Sequence, residues 1–198
     1  MPIPFRRHPT DALVASRLDA ATRDATRLPV IVVLDDVRSA FNVGLLFRLC
    51  DCVNVRALWL GGITAYPGVS THADNHLRKT GVGGSLDVLP WRHLADPTAE
   101  VARLKGEGWH VAVLEQGEGT VPWRDARLRV PLVLVLGHER AGVRDGLVAL
   151  ADEVVELPVR GITNSLNVAV CAGAVLYEVL GRLGDGPDGW RDPGGDGA

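Results

Sequence analysis

The chain has 198 residues, 46% of them hydrophobic and 23% charged, which suits one soluble globular domain and excludes a mainly disordered chain. A net charge of −3 and a pI near 6.1 exclude a uniformly basic nucleic-acid binder, so an RNA partner would have to meet local positive charge.

In chain order, residues 10–27 read as an arginine-bearing helix of moderate period. The run PVIVVLDD (Pro29–Asp36) climbs through Ile31, Val32, Val33 and Leu34 before ending in acids, the signature of a buried parallel strand. Leu45, Leu46, Leu49 and Val53 have helical spacing over 42–53, and a second short strand is expected over 57–60. Residues 64–84 mix glycine, proline, histidine and charge, and read as a long loop with at most one helical turn; loops of that length are often functional. Leu86–Leu89 is expected as a strand and 99–105 as a helix. Strands follow over 109–114 and 132–136, then a short helix over 144–151 and a strand over 154–157. The strongest helical pattern spans Ser165–Leu180, carried by Leu166, Val170, Cys171, Ala174, Leu176 and Val179. Alternating strands and helices imply an α/β domain on a mostly parallel sheet with helices on both faces. The expected organisation is a basic helical extension over 1–28, the catalytic domain over 29–181, and a Gly/Asp-rich flexible tail over 182–198 that includes Trp190.

An odd number of cysteines (Cys50, Cys52, Cys171) without a secretory segment suggests a reducing compartment, with the cytoplasm the default. Cys171 is expected in the core. No cysteine or histidine spacing suits a metal, and no stretch looks able to cross a membrane.

Three segments carry candidate chemistry. Asp35–Arg48 (DDVRSAFNVGLLFR) runs from a strand end into a helix, where open α/β sheets place ligands. Asn42 is a candidate helix cap or loop holder, and Arg48 emerges on a different flank or simply snorkels to solvent. In Pro131–Val143 (PLVLVLGHERAGV) an apolar strand meets Gly137, where bare backbone admits a flat ligand, and Glu139 either orients a polar group or is solvated. This segment lacks the lysine of a phosphate-cradling loop. In Leu157–Glu178, Asn164, Ser165 and Asn167 gather before the long helix. One of them can cap it, and the surplus is free to fix a loop or meet a ligand.

Together FNVGLLFR, VLGHERAGV and LPVRGITNSLNVAVCAGAVLYE resemble, in order and interval, the three motifs of SpoU-class RNA ribose 2'-O-methyltransferases of the SPOUT superfamily. The resemblance spans roughly Ile31–Leu180. It implies a C-terminal deep trefoil knot, bound S-adenosylmethionine, and a homodimer with its site near the subunit boundary. By residue match, cofactor contacts fall on Leu114, Gly137, Leu157, Ser165 and Leu166, and site polar residues on Arg48, Asn42, Glu139, Ser165 and Asn167. The family's lysine-rich loop is replaced by NHLRKTGVGGS (75–85), position 138 is His where Asn is common, and Val159 stands where Met is frequent. Without a separate RNA-binding domain, RNA contacts are expected from Arg6, Arg7, Arg17, Arg23 and Arg27, and from His76, Arg78 and Lys79. The implied activity is methyl transfer to a ribose of structured RNA, with transfer RNA slightly ahead of ribosomal RNA. One alternative is a catalytically inactive knotted RNA-binding protein. The other, a dinucleotide enzyme, lacks its glycine-rich first turn, since only Gly44 follows the first strand.

Overall fold

The computed structural model describes residues 7–9, 11–12, 19–81 and 84–184. Its strands are β1 (Leu28–Asp35), β2 (Val55–Gly61), β3 (Trp91–Leu94), β4 (His110–Leu114), β5 (Val121–Pro122), β6 (Leu132–Gly137) and β7 (Glu153–Glu156). They form one 7-stranded sheet in the order β3-β2-β1-β6-β4-β7-β5. Every pairing is parallel. The helices are α1 (Ala20–Ala25), α2 (Ala40–Cys52), α3 (Thr71–Gly81), α4 (Ser85–Val88), α5 (Thr98–Gly106), α6 (Asp145–Val148) and α7 (Val168–Gly184).

Successive strand residues point to opposite faces, so β1 feeds two cores. Val30, Val32 and Leu34 pack with Leu46 and Phe47 of α2 and with Val175 and Leu176 of α7. Ile31 and Val33 pack with Val101 and Leu104 of α5 and Leu147 of α6. Burial on both faces explains the unbroken β-branched run. Because the strands are parallel, Asp35, Gly61, Leu114, Gly137 and Glu156 all end at one edge of the sheet.

The structure corrects several expectations. Residues 71–81 form helix α3 rather than loop. Ala73, Leu77, Thr80 and Gly81 make its buried side, a stripe of mostly small residues that gives little apolar period. It crosses α2 so closely that a Cβ on Gly44 would lie 1.8 Å from Thr80 Oγ1. The segment expected as a strand at Leu86–Leu89 is instead the short helix α4, initiated at Gly84 with φ 89°. The strand itself comes at Trp91–Leu94, on the sheet edge. Helix α7 begins at Val168, three residues later than the apolar spacing suggests. Ser165, Leu166 and Asn167 therefore belong to the preceding loop.

Candidate active site

The loops at the carboxyl edge of the sheet enclose a cavity of about 270 Å³ lined by Leu114, Gly137, Leu157, Ser165 and Leu166, together with Asn42, Glu139 and Asn167. Ligands bind outside the carboxyl ends of such strands because the loops there diverge. Its apolar walls also include Leu136, Val155 and Val168, while Glu115, Gln116, His138 and Glu156 add polar groups. Cys171 lines it as well, so this thiol is half-buried at the cavity rather than packed in the core. Burial raises its pKa.

A chain of hydrogen bonds ties the three motif segments together. Asn42 Nδ2 donates to Glu139 Oε1 at 3.0 Å, across 97 residues of sequence. Asn167 Nδ2 donates to Asn42 Oδ1 at 3.0 Å, across 125 residues. Asn167 Oδ1 then accepts the N–H of Ala169 at 2.8 Å, capping α7. Ser39, not Asn42, caps α2, its hydroxyl accepting the N–H of Asn42. Asn42 is thus freed from capping and, at 7% exposure, serves as a buried link. Buried amides left without partners are costly, so this relay both stabilises and orients.

Glu139 also accepts the N–H groups of Arg38 at 3.2 Å and Ser39 at 3.3 Å. Burial pushes its carboxyl pKa up, but the hydrogen bonds from its own N–H, Arg38, Asn42 and Ser39 outweigh that and hold it below the usual glutamate value. Glu139 is therefore ionised and grips the start of α2.

The loop between Gly137 and Val143 folds back on itself. His138 and Gly142 exchange two backbone hydrogen bonds of 3.1 and 3.0 Å. A Cβ on Gly137 would lie 2.4 Å from the Gly142 carbonyl carbon and Val143 nitrogen, and Gly142 has φ +74°. Both glycines are required by this close approach. His138 Nδ1 accepts the N–H groups of Arg140 at 3.0 Å and Ala141 at 3.1 Å, so the ring holds the turn.

Other expected residues lie elsewhere. Arg48 is exposed on α2 and does not line the cavity of the single chain. It shares a helical face with Phe41, seven residues before it and 52% exposed. Ser165 lines the cavity without a hydrogen bond among the described residues. Arg78 and Lys79 are exposed in the last turn of α3, and Arg7 is exposed. Arg6, Arg17 and Trp190 lie outside the described residues. Arg27 is not available to RNA. Its side chain is 11% exposed and pairs with Asp24 at 2.7 Å, and it also donates to the Val55 and Val88 carbonyls.

Sequence reasoning passed over Glu115 and Gln116. They follow the apolar run VAVL of β4, the kind of strand end that places ligands in such sheets. His138 was noticed only as a departure, and its turn-holding role rests on geometry. Among the described residues there is no group of three or more metal-ligating side chains and no helix long and apolar enough to cross a membrane.

The SpoU rRNA Methylase family model matches residues 29–177. The chain is 32% identical over 143 residues to a tRNA (cytidine(34)-2'-O)-methyltransferase of Beijerinckia indica, covering 72% of this chain and 85% of that protein. It is 28% identical over 152 residues to a tRNA (guanosine(18)-2'-O)-methyltransferase of Aquifex aeolicus, covering 75% of this chain and 67% of that protein. The SpoU methyltransferase AviRb from Streptomyces viridochromogenes, solved in complex with AdoMet, superposes with a TM-score of 0.66 at 26% identity. That match covers 81% of this chain but 59% of that one.

Proposed function

Because this chain belongs to the SpoU rRNA Methylase family, whose fold has a C-terminal trefoil knot as its hallmark, we propose that it is an S-adenosylmethionine-dependent RNA (ribose-2'-O)-methyltransferase. The observation that carries this reading is the Glu139–Asn42–Asn167 relay, which joins all three motif segments beside a cavity at the carboxyl edge of the sheet.

The cavity's chemistry suits the cofactor. Leu114, Leu136, Leu157 and Leu166 offer an apolar slot for a flat base, and Glu115, Glu139 and Glu156 offer negative charge to a cationic ligand. A bound sulfonium supplies an already activated methyl group, so no metal is needed. The residues must then align a ribose hydroxyl with it and stabilise charge developing on oxygen. A guanidinium keeps its proton at ordinary pH, so the role assigned to Arg48 is to hold an RNA phosphate and stabilise alkoxide character. Asn42 and Asn167 are positioning residues for the loops, and Glu139 orients both amides.

The active unit is a homodimer. Phe41 on α2 and Val170 and Tyr177 on α7 are 52%, 58% and 54% exposed, an apolar face of the kind that marks association. Arg48 lies on the Phe41 side of α2, so a second copy seated there would bring this guanidinium to a partner's cavity. RNA contact outside the cavity falls to Arg78 and Lys79, with transfer RNA ahead of ribosomal RNA.

Incubation with tritium-labelled S-adenosylmethionine and separated transfer and ribosomal RNA tests the reading, with label expected as ribose 2'-O-methyl. Arg48→Ala should abolish incorporation while S-adenosylhomocysteine still binds. Wild-type protein that binds cofactor and RNA without transfer would favour an inactive RNA-binding relative.

A further inference from the structure

The loop after β6 is gripped from both sides by acids of the strands that flank it. β6 lies between β1 and β4, with Asp35 in register with Gly137 and Leu114 in register with Leu136. Asp35 closes β1, and Glu115 follows the last residue of β4. Asp35 Oδ2 accepts the N–H of Arg144 at 2.8 Å, and Glu115 Oε2 accepts the N–H of Val143 at 3.1 Å. Two consecutive amides at the loop's exit are thus held by carboxylates from opposite directions.

The Arg144 side chain reinforces the grip. Its Nε donates to Asp35 Oδ1 at 2.6 Å, and its guanidinium meets Asp36 at 3.3 Å and Asp96 at 3.1 Å. Asp36 also accepts the N–H of Ile63 at 2.9 Å. One arginine therefore joins the segments that follow β1, β2 and β3 to the exit of the loop after β6.

Asp35 is only 1% exposed. A buried ion pair adds little net stability because desolvation offsets the attraction; here its short bonds to both the backbone and the side chain of Arg144 tie that residue to the end of β1. The geometry fixed here is a cavity wall, since Gly137, His138 and Glu139 line the site. Ordering such a loop before binding removes an entropic cost from the binding step.

We infer that Asp35, Glu115 and Arg144 are positioning residues that pre-shape the 138–143 loop for S-adenosylmethionine. This rests on the cofactor reading above. Asp35 does not line the cavity, so its influence on cofactor affinity travels through the loop. Glu115 does line it, so loop-holding has to be separated from direct contact.

Titration calorimetry with S-adenosylhomocysteine, paired with hydrogen exchange at the Val143 and Arg144 amides, tests the inference. Glu115→Ala, which removes the acceptor, and Asp35→Asn, which keeps one but loses the ion pair with Arg144, are each expected to weaken binding about tenfold and to speed exchange at those two amides. Exchange within β6 should be unchanged. Glu115→Gln keeps an oxygen acceptor for the Val143 N–H and should leave exchange at that amide near the wild-type rate, so any affinity it loses measures direct contact with the ligand. If Asp35→Asn fails to fold, the double variant Asp35→Leu/Arg144→Met exchanges the buried pair for apolar groups, keeps the core filled, and should show the same loss. Faster loop exchange with unaltered affinity would overturn the inference, as would Glu115→Ala weakening binding without speeding exchange at the Val143 amide. Wild-type protein that does not bind S-adenosylhomocysteine would instead remove the cofactor reading itself.

Discussion

Two loops line the cavity, and they are built in opposite ways. The 138–143 loop is closed by its own backbone, by His138, and by acids on both flanks. The segment 158–166 makes no hydrogen bond among the described residues. Residues 160–167 are exposed, Ile162 completely, and among the described residues the hydrogen bonding resumes at Asn167, which meets Asn42, Ala169 and the Cys171 N–H. The first loop is thus fixed by many bonds made on folding, whereas the second is exposed and carries few.

Substitutions in the first wall should therefore cost stability, and those in the second should cost function alone. The largest effect is expected for Gly137→Ala. Its new Cβ would meet backbone rather than a movable side chain, and overpacking of this kind costs about 3 kcal/mol. Denaturant unfolding should show that loss, with cofactor binding abolished. Asn42→Ala follows, because it strands both Glu139 and Asn167 and should cost about 2 kcal/mol by the same measurement. Asn167→Ala removes the cap of α7 and one link, about 1 kcal/mol, with a weaker calorimetric response to S-adenosylhomocysteine. Ile162→Ser should change stability by less than about 0.5 kcal/mol yet lower methyl transfer. If Ile162→Ser destabilised the fold as much as Asn42→Ala, the contrast between the walls would be lost.

Acid separates the site from the rest of the sheet. Burial lowers the pKa of His110 below 6.5 despite the pull of Asp152 and Glu153. The unfolded chain therefore takes up that proton first, and His110's contribution is complete above 6.5 and lost as pH falls through its lower folded value. Glu139, held below 4.5 in the fold, contributes fully above that value and loses its contribution only as pH falls through its own depressed pKa. Stability should decline below pH 6.5 while cofactor affinity holds, and affinity should fail only below pH 4.5. His110→Gln should flatten the first decline alone.

The sheet was largely legible in the sequence because β1 and β6 are buried on both faces and read as unbroken apolar runs. Helix α3 was not, because Thr80 and Gly81 close on Gly44 of α2 and only Leu77 is a large buried side chain on its inner face. The motif residues pointed to Asn42, Gly137, Glu139, Ser165, Leu166 and Asn167, which line the cavity, and to Arg48, which does not. The relay among them could not be read, since its links join residues far apart in the chain. Asp35 and Arg144 look like ordinary turn charges until the parallel register sets β1 beside β6.

The relay also has a direction. An ionised Glu139 can only accept, so Asn42 must turn its NH2 toward it and its oxygen toward Asn167. Asn167 is then obliged to present its own oxygen to the Ala169 N–H. A negative charge at one end and a donor-only backbone N–H at the other thereby dictate the same orientation for both amide groups, so either end holds the pair in place if the other is lost.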